Sequence, residues 1–157
     1  MVAQGQGFHE ARCKRQSCLE IDFVFFDIGG TLGDRNATGK FTAFPSSVGL
    51  LQSLRQMGLR VGIITTLGPQ LSNTEALAML KQAGLSQFLD PQGFVSDHDA
   101  GTAKPDPEIY RFAAQKAGVA INRCLFVGEN FIEVLGAVVA GMKGTLKPCP
   151  PGRELPS

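Results

Sequence analysis

The sequence predicts an α/β fold, a three-layer sandwich in which helices cover both faces of a mostly parallel five-stranded sheet. Three observations carry this expectation. Short apolar runs without helical period alternate with longer segments that have it, which is the pattern of strand–helix–strand units. The most apolar run, around Phe23, Val24, Phe25 and Phe26, is apolar on both alternating faces, as a central parallel strand requires. Polar residues gather just past the strand segments, where ligands bind in such sheets.

The first strand spans residues 21–27 and ends at Asp27. A polar, glycine-dotted stretch runs on to Phe44, and Pro45 then opens a helix with Val48, Leu51, Leu54 and Met57 on its apolar face, stopped by Gly58. The second strand, 59–64, leads into Thr65 and Thr66. In the next helix Ser72 and Glu75 have capping-box spacing, Ala76, Leu77, Leu80 and Ala83 form the core face, and Gly84 lies past the end. A short third strand is expected over 93–96. Beyond Lys104, Asp106 and Pro107 cap a helix that runs through Ile109, Phe112, Ala113 and Lys116 to Gly118. The fourth strand, 124–127, ends in Gly128 and Glu129. A helix over about 131–140 stops at Gly141, and 145–147 offers a weaker fifth strand.

The chain has 157 residues, 43% hydrophobic and 18% charged, with a net charge of +1. That length suits one domain, expected over 20–146, with a leader at 1–19 and a proline-rich tail at 147–157. The near-neutral balance argues against nucleic acid as a partner, and no apolar run approaches the roughly 18 residues of a membrane helix. With no secretory signal in residues 1–20, a cytoplasmic location is expected. Cys13, Cys18, Cys124 and Cys149 lack CxxC spacing and read as reduced thiols, Cys124 in the core; Cys13 and Cys18 leave a metal or disulfide role open. His9 and His98 each stand alone and read as surface residues. The stretch 33–40 approximates a phosphate-binding P-loop but is one residue too long, and Phe41 stands where Ser or Thr is needed.

Four motifs in order, Asp27-Ile28-Gly29-Gly30-Thr31-Leu32, Thr65, Lys104-Pro105-Asp106-Pro107, and Gly128-Glu129-Asn130 with Glu133, resemble the haloacid dehalogenase (HAD) superfamily over residues 21–146. The resemblance implies a Rossmann-like fold and a hydrolase or phosphotransferase acting on a phosphorylated substrate. Asp27 would attack phosphorus to form an aspartyl phosphate, with Lys104 supplying positive charge. Thr65 or Thr66, the Gly30 backbone and Lys104 would bind the phosphoryl oxygens. Magnesium would be held by Asp27, the Gly29 carbonyl and Glu129, with Glu133 as the second acid of its motif. Glu129 is one methylene longer than the family's usual aspartate.

Gly29 stands where most family phosphatases carry an aspartate that protonates the leaving oxygen and then activates water. Glycine does neither, so turnover should be slow, general acid–base help being typically worth about 10²–10⁴ in rate. Family members acting on small metabolites often carry an inserted cap. Here neither the stretch from Asp27 to Thr65 nor that from Thr65 to Lys104 has room for one. A capless, open site follows, covered by a phosphorylated macromolecule, a protein partner or a homo-oligomer when it is not binding a small molecule. Two other readings compete with the phosphatase-like enzyme. One is a non-catalytic HAD-like binding or scaffold module; the other is a dehalogenase-like hydrolase in which Asp27 attacks carbon.

Overall fold

The computed structural model describes residues 20–147. The expected leader, the proline tail beyond Lys147, and Cys13, Cys18, Cys149 and His9 lie outside the described residues. In chain order the elements are β1 (Phe23–Phe26), β2 (Gly33–Arg35), β3 (Phe41–Ala43), α1 (Pro45–Gln56), β4 (Arg60–Thr65), α2 (Asn73–Gln82), β5 (Phe94–Ser96), α3 (Asp97–Ala100), α4 (Pro107–Ala117), β6 (Cys124–Gly128), α5 (Phe131–Ala140) and β7 (Lys143–Leu146).

Five strands form one sheet in the order β5-β4-β1-β6-β7, every pair parallel. The all-apolar β1 lies at its centre, and its alternating side chains feed two cores. Phe23 and Phe25 pack with Ile64, Ile109, Tyr110, Phe126 and Ala137 under α4 and α5. Val24 and Phe26 pack with Leu32, Leu51, Ile63, Ala76 and Leu80 under α1 and α2. The period-2 alternation of a strand puts successive residues on opposite faces, so one four-residue strand serves both layers. Burial of such aromatic and aliphatic side chains is worth roughly 1.5–3 kcal/mol each.

Several expectations need correction. The polar stretch before Phe44, for which the sequence announced no strand, holds β2 and β3, a separate antiparallel hairpin in which Gly33 pairs with Ala43 and Arg35 with Phe41. Its tight end is fixed by Asn36, whose side chain accepts from the N–H groups of Thr38 and Lys40, both at 3.0 Å. A short helix, α3, occupies part of the loop before Lys104. Met57 is 73% exposed and Leu77 40%, so the apolar faces of α1 and α2 are narrower than helical spacing suggests. The last strand begins at Lys143, two residues earlier than expected.

The caps fall where the sequence placed them. Ser72 and Glu75 form a reciprocal capping box on α2, and Asp106 accepts from the Glu108 N–H at the start of α4. Gly136, in the middle of α5, faces the loop that carries Lys104: a Cβ there would lie 2.2 Å from the Pro105 carbonyl oxygen. The helix approaches that loop as closely as it does because glycine is there. No helix among the described residues is long and apolar enough to cross a membrane.

Candidate functional site

Because all five strands are parallel, their carboxyl ends share one edge, and the loops leaving β1, β4 and β6 meet there. The loop before α4 comes to the same edge. Asp27 follows β1 directly, its N–H donating to Val127 of the neighbouring strand at 3.0 Å. The Lys104 ammonium reaches it across the sheet end, with Nζ 2.6 Å from Asp27 Oδ1 and 2.7 Å from Glu133 Oε2. Its side chain is only 2% exposed and lies over the Phe126 ring, 5.6 Å from the centroid. A cation so far removed from water is held there by the two carboxylates, and both need it.

Each partner is positioned by a second contact. Thr66 Oγ1 accepts the Lys104 N–H at 3.1 Å, which ties the lysine loop to the end of β4. The Asp97 carboxylate accepts from the N–H groups of Leu67 and Gly68 at 2.8 and 3.1 Å, fixing the loop that follows Thr65. Burial raises the Asp97 carboxyl, but those two donors, together with His98 and its own N–H, outweigh it and leave it below its ordinary value. Tyr110, fully buried in α4, donates its hydroxyl to the Glu133 carbonyl at 2.6 Å and so anchors the first turn of α5. Its phenol is pushed upward by burial, then by the charges of Glu133 and Asp27. Asn130 caps that same turn, its side chain accepting from the N–H groups of Ile132 and Glu133.

The loop after β1 is a compact turn in which the N–H groups of Thr31 and Leu32 return to the Ile28 carbonyl. Gly30 is obligatory at its tip. Its φ is +70°, and a Cβ would lie about 2 Å from the Glu129 carboxylate. The Gly30 N–H donates to the Gly33 carbonyl at 2.9 Å, so what this residue gives the site is space for Glu129. Desolvation of the Glu129 carboxylate, then repulsion from Asp27 and Glu133, raises its pKa, with Lys147 pulling the other way. Lys147, which the sequence reading assigned to the tail, is held by its N–H to the Gly128 carbonyl. Its ammonium donates to the Thr31 carbonyl and sits 4.9 Å above the Phe44 ring.

Asp27, Thr65, Thr66, Lys104, Glu129 and Glu133 thus come to one end of the sheet, with Glu133 committed to Lys104. Among the described residues no group of three or more Asp, Glu, His or Cys side chains converges as a metal cage. Magnesium does not need one, since one or two carboxylates with water and substrate oxygens fill its shell. Asp27 and Glu129 offer that pair, and the raised pKa of Glu129 marks negative charge that a cation would relieve. The residues fit such an ion.

A groove of about 530 Å³ between α1 and the strands β1 and β6 is lined by apolar residues such as Ile21, Leu54 and Leu125, with no charged residue in its lining. A smaller cavity of about 290 Å³ lies between Ile28 and Gly29, which directly follow Asp27, with Thr65 and Thr66 on the sheet side, and the β2–β3 hairpin on the other. His98, expected at the surface, has Nε2 2.9 Å from the Leu71 carbonyl and takes no part in this arrangement.

A family model described as haloacid dehalogenase-like hydrolase matches residues 32–141, a span that begins at the last residue of the first motif. Among curated relatives, Phosphatase MT3486 of Mycobacterium tuberculosis is 34% identical over 103 residues, covering 66% of this chain and 45% of the relative. (S)-2-haloacid dehalogenase 4A of Burkholderia cepacia is also 34% identical, over 65% of this chain and 42% of its own. The pyrophosphatase PpaX of Bacillus velezensis is 33% identical over 59% and 40%. The chain spans under half the length of these relatives. Among solved structures, a dehalogenase superposes with a TM-score of 0.69 at 20% identity, over 80% of this chain and 84% of that one. A HAD phosphatase from Thermococcus onnurineus gives 0.57 at 28%, over 66% and 46%.

Proposed function

The chain belongs to the haloacid dehalogenase-like hydrolases, and on that premise we propose that it hydrolyses a phosphate ester through an aspartyl-phosphate intermediate on Asp27. The observation that carries this reading is the Lys104 ammonium 2.6 Å from Asp27 Oδ1, because a carboxylate attacks an anionic phosphoryl group only where positive charge offsets the repulsion. The phosphatase and pyrophosphatase among the relatives support it.

In the first step an Asp27 oxygen forms a bond to phosphorus while the bond to the leaving oxygen breaks. Lys104 stays paired with Glu133 and partly neutralises the charge that develops, and Thr65 lines the cavity where the phosphoryl oxygens would lie. The leaving oxygen departs as an anion or takes its proton from solvent, since Gly29 carries no acid. In the second step water attacks the acyl phosphate, releasing phosphate and restoring the Asp27 carboxylate. Asp27, Glu129 and the Gly29 carbonyl would hold magnesium, which supplies further charge neutralisation when bound.

The connections from Asp27 to Thr65 and from Thr65 to Lys104 are used by the hairpin with α1 and by α2 with α3, so the site is read as capless. A second reading rests on Gly29. With no acid required to protonate an alkoxide, the same nucleophile suits displacement of halide from carbon, and a haloacid dehalogenase stands among the relatives.

The deciding experiment is hydrolysis of 4-nitrophenyl phosphate with magnesium by the native protein and by Asp27→Asn. Turnover in the first and none in the second is expected. Equal rates would remove Asp27 from the chemistry, and chloride release from 2-chloropropionate without phosphatase activity would favour the second reading. Silence on both substrates would leave a binding module.

A further inference from the structure

We propose that the cavity between the loop after Asp27 and the hairpin takes a short phosphorylated substrate carrying a second anionic group, and that Arg35 on the hairpin recognises that group. The inference rests on the phosphoryl-transfer reading and adds the substrate's other end. Gly29, two residues after Asp27, and Thr65 line the cavity on one side, while Arg35 lines it from β2, with Phe41, Leu71 and Met79 forming apolar walls. At about 290 Å³ the space lies at the low end of small-molecule sites, so two anionic ends are separated by only a few carbons or a bridging atom.

The Arg35 guanidinium is placed to receive an anion. Its Nη1 donates to the Gly39 carbonyl at 2.7 Å, and its Nη2 lies 3.8 Å from the Met79 sulfur. Both acceptors are neutral, and a thioether is a weak one. Arg60, Arg111 and Arg123 each meet a carboxylate, whereas among the described residues Arg35 forms no ion pair. Asp34 lines the same cavity, and its carboxylate accepts the backbone N–H of Arg35 at 3.1 Å, at the root of the side chain rather than its head. A planar fork with spare N–H groups grips a carboxylate or a phosphate through two parallel bonds, in a way that a solvated lysine does not. The tight Asn36 turn holds the hairpin in register, so Arg35 is presented from a fixed element.

The test is calorimetric binding of three inert probes, in excess magnesium, to the native protein and to Arg35→Met. Methylphosphonate offers one anionic end, phosphonoacetate adds a carboxylate, and methylenebisphosphonate adds a second phosphoryl group. At least one two-anion probe should bind the native protein at least about tenfold tighter than methylphosphonate, and which one does identifies the second group. Arg35→Met should erase that advantage and leave methylphosphonate binding unchanged, which also reports that the variant is folded. Equal affinities in the native protein, an advantage that survives Arg35→Met, or no binding of any probe would overturn the proposal. Methylphosphonate binding, or Asp27-dependent hydrolysis of 4-nitrophenyl phosphate, without a two-anion advantage would overturn the Arg35 assignment alone.

Discussion

On the proposed phosphatase reading, Gly29 is the residue that would limit the rate. Its backbone lies outside the left-handed region, and a Cβ there would meet nothing within 4 Å, so a side chain fits without strain. Gly29→Asp should therefore fold normally and raise the rate on alkyl phosphates, by up to the about 10²–10⁴ typical of general acid–base help. A steady-state comparison on an alkyl and an aryl phosphate checks this, with the larger gain expected on the poorer leaving group. Glu129 makes a different prediction. Its pKa is raised in the folded state, so the ionised form costs stability at neutral pH, and folding is favoured below the unfolded value. Glu129→Gln should raise the melting temperature at pH 7–8 in the absence of divalent cations, and the gain should shrink as acid protonates the native side chain. Asp27, Thr65, Lys104 and Glu129 were legible in the sequence because each sits at or just past a strand end or before a helix. The hydrogen bonds of Gly30 and Thr66 were not, since their partners, Gly33 and Lys104, are set by how the loops fold back.

Among the elements, α5 ties structure to chemistry most closely. Its first turn carries Glu133, and that turn is fixed at one end by Asn130 and from the side by Tyr110. Asn130→Ala should cost about 1 kcal/mol in urea denaturation, the usual loss for an N-cap. It should also lower kcat more than KM, because a frayed turn loosens the carboxylate that steadies Lys104. The β2–β3 hairpin shows where sequence pattern fails. Gly-Asp-Arg lacks the alternating apolar residues that announce a strand, and its stability comes from pairing with Phe41–Ala43 and from the Asn36 turn. Helical spacing located the buried side of α1 and α2 through Leu51, Ala76 and Leu80. It could not give the width of that side, which depends on how far the sheet extends beneath each helix.

At the scale of the molecule, charge pairs hold distant parts of the chain together. Arg60 meets Asp90 at 2.8 Å and also donates to the Ala117 carbonyl, joining β4 to the segment that follows α2 and to the end of α4. The Asp90 carboxyl is held below its usual value chiefly by its bond to Arg60, and Asp97 is lowered as described above. A depressed carboxyl contributes stability that is present above its unfolded pKa of about 3.9 and is lost as pH falls through the folded value. Thermal melts should therefore change little through these two groups from neutral pH to about 5, then fall steeply below about 4. A plateau continuing to pH 2 would show that neither carboxylate matters to folding. The parallel architecture was legible because β1 is apolar throughout.

The central place of β1 also fixes the order in which the molecule can be made. As the chain leaves the ribosome, Phe23–Phe26 emerges well before β4 and longer still before β6, its two neighbours in the sheet. Until they arrive, the most apolar strand has nothing to pair with, and such non-local parallel pairing forms slowly. Asp27 is synthesised early, yet the lysine and glutamate that complete its charge cluster come later, from the loop before α4 and from α5 respectively. A nascent chain halted before β4 therefore displays a bare hydrophobic strand that ends in a lone acid, the form of this protein most in need of a chaperone.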